Sequence, residues 1–403
     1  MNRLTRILLA AATGLLLTPP FMQWGSGFVI LFAFVPLLLV EEHLYRHRGR
    51  HRTRHIFWYA VIAFVIFNIL TSWWVKNAAW IGIIGAVLVN TTLMTAVLWL
   101  FHWVKRQLGP RLGYASLVVL WVAMEFFYLN VDVNFPWLLM GNAWANDVMF
   151  IQWYEVTGTL GGSLWVMIVN VLLVRLLNGL RENPSFHPNR AAVSWLLGFL
   201  ILPVVISLVR YHTYEEDRDP YEVVVIQPNI DPYLKFIDMP QEEQNRYLLQ
   251  IADSLVTPQT DYIVAPETFL NNNVWQEQLD RHPDIRLLRR FLSQYPDAAL
   301  VIGATTYRRY TPENRSVTAR PIREGAAYYD SFNSALQLDR TDSIPLYHKS
   351  RLVVGVEFMP FTGKVKWIDK ITVQLGGIMR SHGTQSDRET FAHPDRDVRV
   401  API

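Results

Sequence analysis

Three ionisable side chains sit where short β-branched runs end, and their types could do chemistry together. Glu267 follows the run Tyr262–Ala265 through Pro266, and Asn271, Asn272 and Asn273 come soon after. A carboxylate just beyond a buried strand lies where α/β folds gather their sites. Against apolar walls such a group has a raised pKa and serves as a general base. Lys349 lies in Tyr347-His348-Lys349-Ser350-Arg351-Leu352, and Glu357 in Gly355-Val356-Glu357-Phe358-Met359-Pro360. An ammonium held beside a carboxylate can stabilise an oxyanion or tune a nucleophile. Taken singly, Glu267 also reads as a capping or surface acid and Lys349 as a surface cation. The 403 residues contain no cysteine, so disulfides, zinc–thiolate sites and thiol chemistry are excluded within them.

The elements that must position these groups are short. Strand-like runs occur at Glu222–Ile226, Tyr262–Ala265, Ala299–Thr306, Ala335–Leu338 and Val398–Ile403, with helical patterns near 240–256 and 273–294. Strands of about five residues alternating with helices indicate a layered α/β domain. Gly158, Gly161 and Gly162 follow no strand, so they read as close helix packing rather than a dinucleotide loop.

The rest of the chain is different in kind. Residues 1–210 hold 15 Lys+Arg and 7 Asp+Glu, whereas 211–403 hold 22 and 27. Uncharged apolar stretches at roughly 5–22, 26–42, 56–75, 78–103, 112–129, 157–178 and 191–210 are each near the ~20 residues that span a bilayer. The pattern predicts a transmembrane domain of about seven helices over 1–210, a linker at 211–220, and a second domain from 221 to 403. The basic residues fall on alternate connections: Arg3 and Arg6; Arg46, Arg48, Arg50, Arg52 and Arg54; Lys105, Arg106 and Arg111; Arg181 and Arg190. That places the N-terminus in the cytoplasm and the second domain outside. Thirteen of 15 Trp lie in the first 210 residues, several near helix ends, as interfacial aromatics do. A net charge of +3 divided this way argues against nucleic acid as a partner.

Some features stay open at this level. Met1–Thr18 also has the shape of a signal peptide. The histidine-containing run Arg46–His55 could bind a metal or acidic lipid, or simply obey the positive-inside rule. Glu125, an acid within an apolar stretch, is either functional or bonded to neighbouring helices. The aromatic segment 130–156 reads as interfacial or re-entrant, or as a wet loop with anchoring rings.

Taken together, Glu267 after a strand, Lys349 in Tyr-x-Lys-x-x-Leu and Glu357 in Gly-x-Glu-x-x-Pro-Phe resemble the nitrilase (carbon–nitrogen hydrolase) superfamily. Behind several membrane spans they resemble its membrane-bound branch, the apolipoprotein N-acyltransferases. Trp121–Gly141, with Glu125 and Phe135-Pro136-Trp137, is similar to that branch's membrane signature, and Gln227-Pro228-Asn229-Ile230 up to Lys235-Phe236 to its first strand and loop. Phe236 stands where the family has Trp.

The resemblance implies a multi-span α-helical membrane domain followed by a nitrilase-like αββα sandwich. It implies a Glu–Lys–Cys triad in which Glu267 moves protons, Lys349 stabilises the oxyanion and Glu357 positions Lys349 or an incoming amine. A phospholipid would donate the acyl chain through a thioester acyl-enzyme, and a diacylglyceryl apolipoprotein would accept it on its N-terminal amine. Phe236, Trp275, Phe358 and Met359 are candidates for an acyl-chain mouth, or else pack in the domain core. No cofactor or metal is implied, and the expected form is a monomer in the bacterial inner membrane with its catalytic domain in the periplasm. Val398–Ile403 looks like the strand that leads to the family's Cys, so the chain reads as a fragment ending before its nucleophile, with an incomplete, poorly folded and inactive outer domain. Competing readings are a membrane-tethered amidase or nitrilase, and a non-enzymatic sensor or transport subunit with an outer binding domain.

Overall fold

The computed structural model describes residues 1–77, 80–131, 135–184, 186–216, 218, 220–231, 235, 239–322, 327–354, 357–358 and 381–402. The chain divides into two compact units, Met1–Glu216 and Asp217–Ile403.

The first unit is helical: α1 (Arg3–Leu17), α2 (Ile30–Ala33), α3 (Val35–Arg46), α4 (Arg54–Ser72), α5 (Trp80–Asn130), α6 (Tyr154–Glu182) and α7 (Phe186–Thr213). Six helical segments among the described residues are long and apolar enough to cross a membrane. The fourth of them, Gly82–Asn130, is not one rod. Gly109 has φ 85° and is followed by Pro110, a pairing that no continuous helix accommodates. Tyr128 Oη bonds Asn90 Oδ1 across this break. A straight helix would hold those residues ~57 Å apart, so α5 is a helical hairpin of two rods.

The rods meet in an apolar core built on Phe34, Phe64, Phe67, Phe101, Trp121, Trp144 and Trp165. Within it, Lys105 is fully buried rather than a loop charge as the sequence pattern suggests. Its Nζ lies 2.6 Å from Glu41 Oε2 and 2.7 Å from Glu42 Oε2, and it donates to Tyr114 Oη at 3.2 Å. His102 Nδ1 is 2.7 Å from Glu41 Oε1. Removing these charges from water costs several kcal/mol per ion, which only such close mutual pairing offsets. Gly113 makes the cluster possible, because a Cβ there would meet Lys105 Cβ at 2.5 Å.

The aromatic segment 130–156 spans the connection between α5 and α6. Its described residues form short 3-10 turns at Pro136–Leu138, Met140–Trp144 and Val148–Phe150. Glu125 anchors them: its Oε1 accepts from Trp121 Nε1 and from the Met140 amide, both at 2.9 Å. Asp147 accepts from Ser26 Oγ at 2.9 Å and from the Gly27 amide at 2.6 Å, tying the turns to the connection after α1.

The second unit is a mixed sheet with helices on one face. Its strands are β1 (Val223–Val225), β2 (Tyr262–Val264), β3 (Leu270–Trp275), β4 (Ala299–Tyr310), β5 (Arg320–Ile322), β6 (Ala327–Leu338), β7 (Leu346–His348), β8 (Phe391–Ala392) and β9 (Arg399–Val400). The order is β1-β2-β4-β6-β5, with β3 also on β4 and β7 also on β6. β1, β2, β3 and β4 run parallel, and β6 is antiparallel to β4. Alternation along the strands sends Ile263, Leu300, Ile302 and Leu336 to one face, where they pack on α8 (Gln241–Leu255) and α9 (Pro283–Leu292). Tyr262, Ala299, Val301 and Tyr347 face the other way, against Phe391, Val398 and Val400 of the β8–β9 hairpin. That hairpin is a separate two-stranded sheet. The observed architecture is thus a helical membrane domain followed by an α/β sheet domain.

The helical pattern at 273–294 resolves differently from its periodicity. Leu270–Trp275 is strand, Gln276–Arg281 is 3-10, and only Pro283–Leu292 is α-helix. Consecutive asparagines favour turns and extended backbone, and Pro283 is suited to the first helical turn and not to a helix interior.

Candidate functional site

The edge of β4 creates the site. β2 pairs with Ala299–Val301 and β3 rejoins the same edge at Ala304, so five residues, 265–269, span the space opposite Ile302 and Gly303. The chain must bulge outward there. The Ala265 amide bonds the Val301 carbonyl at 2.8 Å, and the Gly303 amide bonds the Pro266 carbonyl at 3.1 Å. Glu267 stands at the crest, and Thr268 beside it is forced to φ 52°, a region β-branched residues avoid. Gly303 is required for the approach, since a Cβ there would fall 2.5 Å from Glu267 Cα and 2.6 Å from the Thr268 nitrogen.

Lys349 arrives from β7. Its amide bonds the Asn333 carbonyl of β6 at 2.8 Å, which extends the β6–β7 ladder by one rung and fixes the side chain's origin. The Lys349 Nζ then lies 2.8 Å from Glu267 Oε1 and 3.1 Å from Glu357 Oε2. Glu357 is itself held by the Val353 amide, which donates to its Oε2 at 2.8 Å. The structure therefore brings Glu267, Lys349 and Glu357, 90 residues apart in sequence at the extremes, into one cluster.

Asn333 completes it, and sequence reasoning missed it. Its Nδ2 donates to Glu267 Oε1 at 2.6 Å and also to Glu357 Oε1. One amide thus bridges both carboxylates while its own backbone carries Lys349. The available signal was a cluster of four polar residues, Asp330, Ser331, Asn333 and Ser334, inside a largely apolar strand; all four are buried.

The charges settle one another. Burial pushes the Glu267 carboxyl upward, but hydrogen bonds from Lys349 and Asn333 and the nearby ammonium charge hold it below the ordinary range. The raised pKa expected from apolar walls is thus reversed. Burial pulls Lys349 down, and the two glutamates more than reverse it, so its pKa is raised. Both groups are ionised at neutral pH. Glu267 Oε2 accepts no hydrogen bond among the described residues, and its side chain is 56% exposed, which leaves that oxygen open to a proton donor. An ammonium has three N–H donors, and two carboxylates occupy two of them. The third can meet a developing oxyanion. Beside it, His348 stacks on Phe332 with centroids 4.1 Å apart, and burial lowers its pKa to about 4, so it stays neutral.

The other sequence candidates are Phe236, Trp275, Phe358 and Met359. Trp275 ends β3 and packs on Tyr307 and Tyr329, with centroids 5.5 and 6.2 Å away, under the Arg309 guanidinium. Phe358 is half-buried beside Glu357, its amide bonded to the Val353 carbonyl at 3.1 Å. Phe236 and Met359 lie outside the described residues.

Residues 13–172 match the family described as the apolipoprotein N-acyltransferase N-terminal domain. The chain is 26% identical to the apolipoprotein N-acyltransferase of Chlorobaculum tepidum over 97% of its own length and 72% of the relative's. The helical unit is thus similar to the N-terminal domain of the apolipoprotein N-acyltransferases. Two further relatives carry the same name: one from Geobacter metallireducens, 28% identical over 59% of this chain and 46% of that protein, and one from Haemophilus ducreyi, 23% identical over 70% and 51%. The chain spans about half the length of these two relatives. The family match lies wholly within the helical unit, and the Chlorobaculum alignment, at 97% of the chain, reaches the sheet unit and the Glu267 cluster as well.

Proposed function

We propose that this protein works in N-acylation of apolipoproteins, moving an acyl chain from a phospholipid to the α-amino group of a diacylglyceryl-cysteine. The observation that carries the reading is the ionised Glu267–Lys349–Glu357 cluster at the β4 edge. A thiol delivered to this cluster would lose its proton to Glu267 Oε2. The thiolate would attack the ester carbonyl of the donor, and Lys349 Nζ–H would stabilise the tetrahedral oxyanion. Collapse would expel the lysophospholipid alkoxide, protonated by Glu267, and leave a thioester. The acceptor amine would then attack that thioester, pass its proton to Glu267 and release the thiol. Glu357 and Asn333 would hold Lys349 and Glu267 at contact throughout. Residues 1–403 contain no thiol, so within them the reading assigns the acid, the ammonium and their supports.

The placement of basic residues supports a cytoplasmic N-terminus and an outer, periplasmic sheet unit in an inner membrane. Both substrates of the proposed reaction are lipidated, which suits a chain with six apolar helices of spanning length. A small soluble amide would require none of them. The test is mass spectrometry of a synthetic diacylglyceryl lipopeptide incubated with phospholipid and the protein expressed from its own gene. The expected result is a product heavier by one acyl chain, lost in Glu267→Gln. Amide hydrolysis without transfer would instead favour the tethered amidase.

A further inference from the structure

The arm formed by the far halves of β4 and β6 and by β5 lies beyond the site. Register places Tyr307 and Arg309 of β4, Tyr329 of β6 and Arg320 of β5 on one face, with Trp275 of β3 beside Tyr307. The Arg309 guanidinium lies over the Trp275 ring at 4.7 Å and that of Arg320 over Tyr329 at 5.9 Å. Tyr307 joins the two rings, 5.5 Å from Trp275 and 6.1 Å from Tyr329. Arg309 is exposed and makes no ion pair among the described residues; the nearby Glu277 accepts from its backbone amide instead. Residues 307–331 carry five Arg against Glu313, Glu324 and Asp330. Asp330 adds nothing to the outer field, because it is fully buried and occupied by the hydroxyls of Ser316 and Thr318.

We propose that this face, Trp275–Tyr307–Arg309–Arg320–Tyr329, binds the headgroups of anionic phospholipids. Guanidinium groups recognise phosphate oxygens bidentately, and stacking on aromatic rings holds them flat for that contact. Trp and Tyr in the same layer match the glycerol level of a bilayer, where amphipathic rings settle. Among anions, lipid headgroups are favoured because the same chain carries six helices long and apolar enough to cross a membrane. The inference goes beyond acyl transfer and stands apart from the Glu267 cluster.

The test uses the full chain in nanodiscs of phosphatidylcholine, with or without phosphatidylglycerol, and a headgroup photo-crosslinker on each lipid in turn. Labelling of peptides within 299–331 by the phosphatidylglycerol probe is expected, falling roughly tenfold or more in the double variant Arg309→Gln/Arg320→Gln. Salt should weaken the wild-type labelling in the same direction. Equal labelling by the phosphatidylcholine probe would overturn the proposal, as would labelling that the double variant retains. Labelling displaced by an acidic peptide but indifferent to lipid composition would mean a protein partner and would also overturn it. Melting curves check the variant's fold; if it fails to fold, salt-insensitive labelling of the wild-type chain is the overturning result.

Discussion

Glu267 owes its position to a residue with no side chain. Gly303 lets the backbone of 266–268 lie against β4 at distances a Cβ would forbid. Gly303→Ala should push the bulge outward by overpacking, at a cost of about 1–3 kcal/mol, and separate Glu267 from Lys349. The expected outcome is a lower melting temperature of the sheet unit and a loss of acyl transfer larger than the stability change explains. The charge states make a second prediction. Glu267's pKa is depressed, so its contribution to stability is present above its ordinary value of 4.5 and is lost as pH falls through the lower folded value. Lys349's is raised, so its contribution is full below 10.5 and is lost as pH rises through the higher folded value. Melting temperatures of wild type and Glu267→Gln should therefore differ at neutral pH and converge in acid; a constant difference down to pH 3 would contradict the ionised pair. At this scale Glu267, Lys349 and Glu357 were readable as motif residues. Asn333 and Gly303 were not, because each acts by a contact that only the folded sheet creates.

Helices and strands tell a similar story. The apolar stretches located the rods, yet the charged residues at their ends misled. Lys105 reads as a loop cation next to Arg106 and Arg111, but a helix that continues to Leu108 carries it inward to Glu41 and Glu42. A buried ion pair has no one-dimensional signature, since its partners lie more than 60 residues apart. Replacing one partner leaves the other charge uncompensated. Glu41→Ala should therefore destabilise the helical unit by about 3–5 kcal/mol, whereas the paired change Glu41→Leu/Lys105→Met should recover much of that loss. Thermal unfolding in detergent checks both. β4 and β6 run longer than the sequence pattern suggests for a related reason: polar residues such as Arg308, Asp330 and Asn333 interrupt the apolar alternation while still pairing across the two strands. The same arm carries Trp275, read from sequence as part of an acyl-chain mouth or as domain packing, in a ring cluster with Tyr307 and Tyr329.

Across the whole molecule, two units of opposite character share one chain. The charge count divided them without any structural information, because a bilayer interior rejects charge that an aqueous surface needs. The fold class followed from that division and from strand–helix alternation in the second half. The convergence of 267, 349 and 357 was expected only through the family resemblance, because long-range pairing of β4 with β6 and of β6 with β7 sets it. The account rests on those groups acting as one catalytic unit. A double-mutant cycle on acyl transfer, in the protein expressed from its own gene, tests this directly. Glu267→Gln, Lys349→Met and the double variant should each lose several orders of magnitude in kcat, with losses far from additive. Losses that add, or transfer that survives both substitutions, would contradict it.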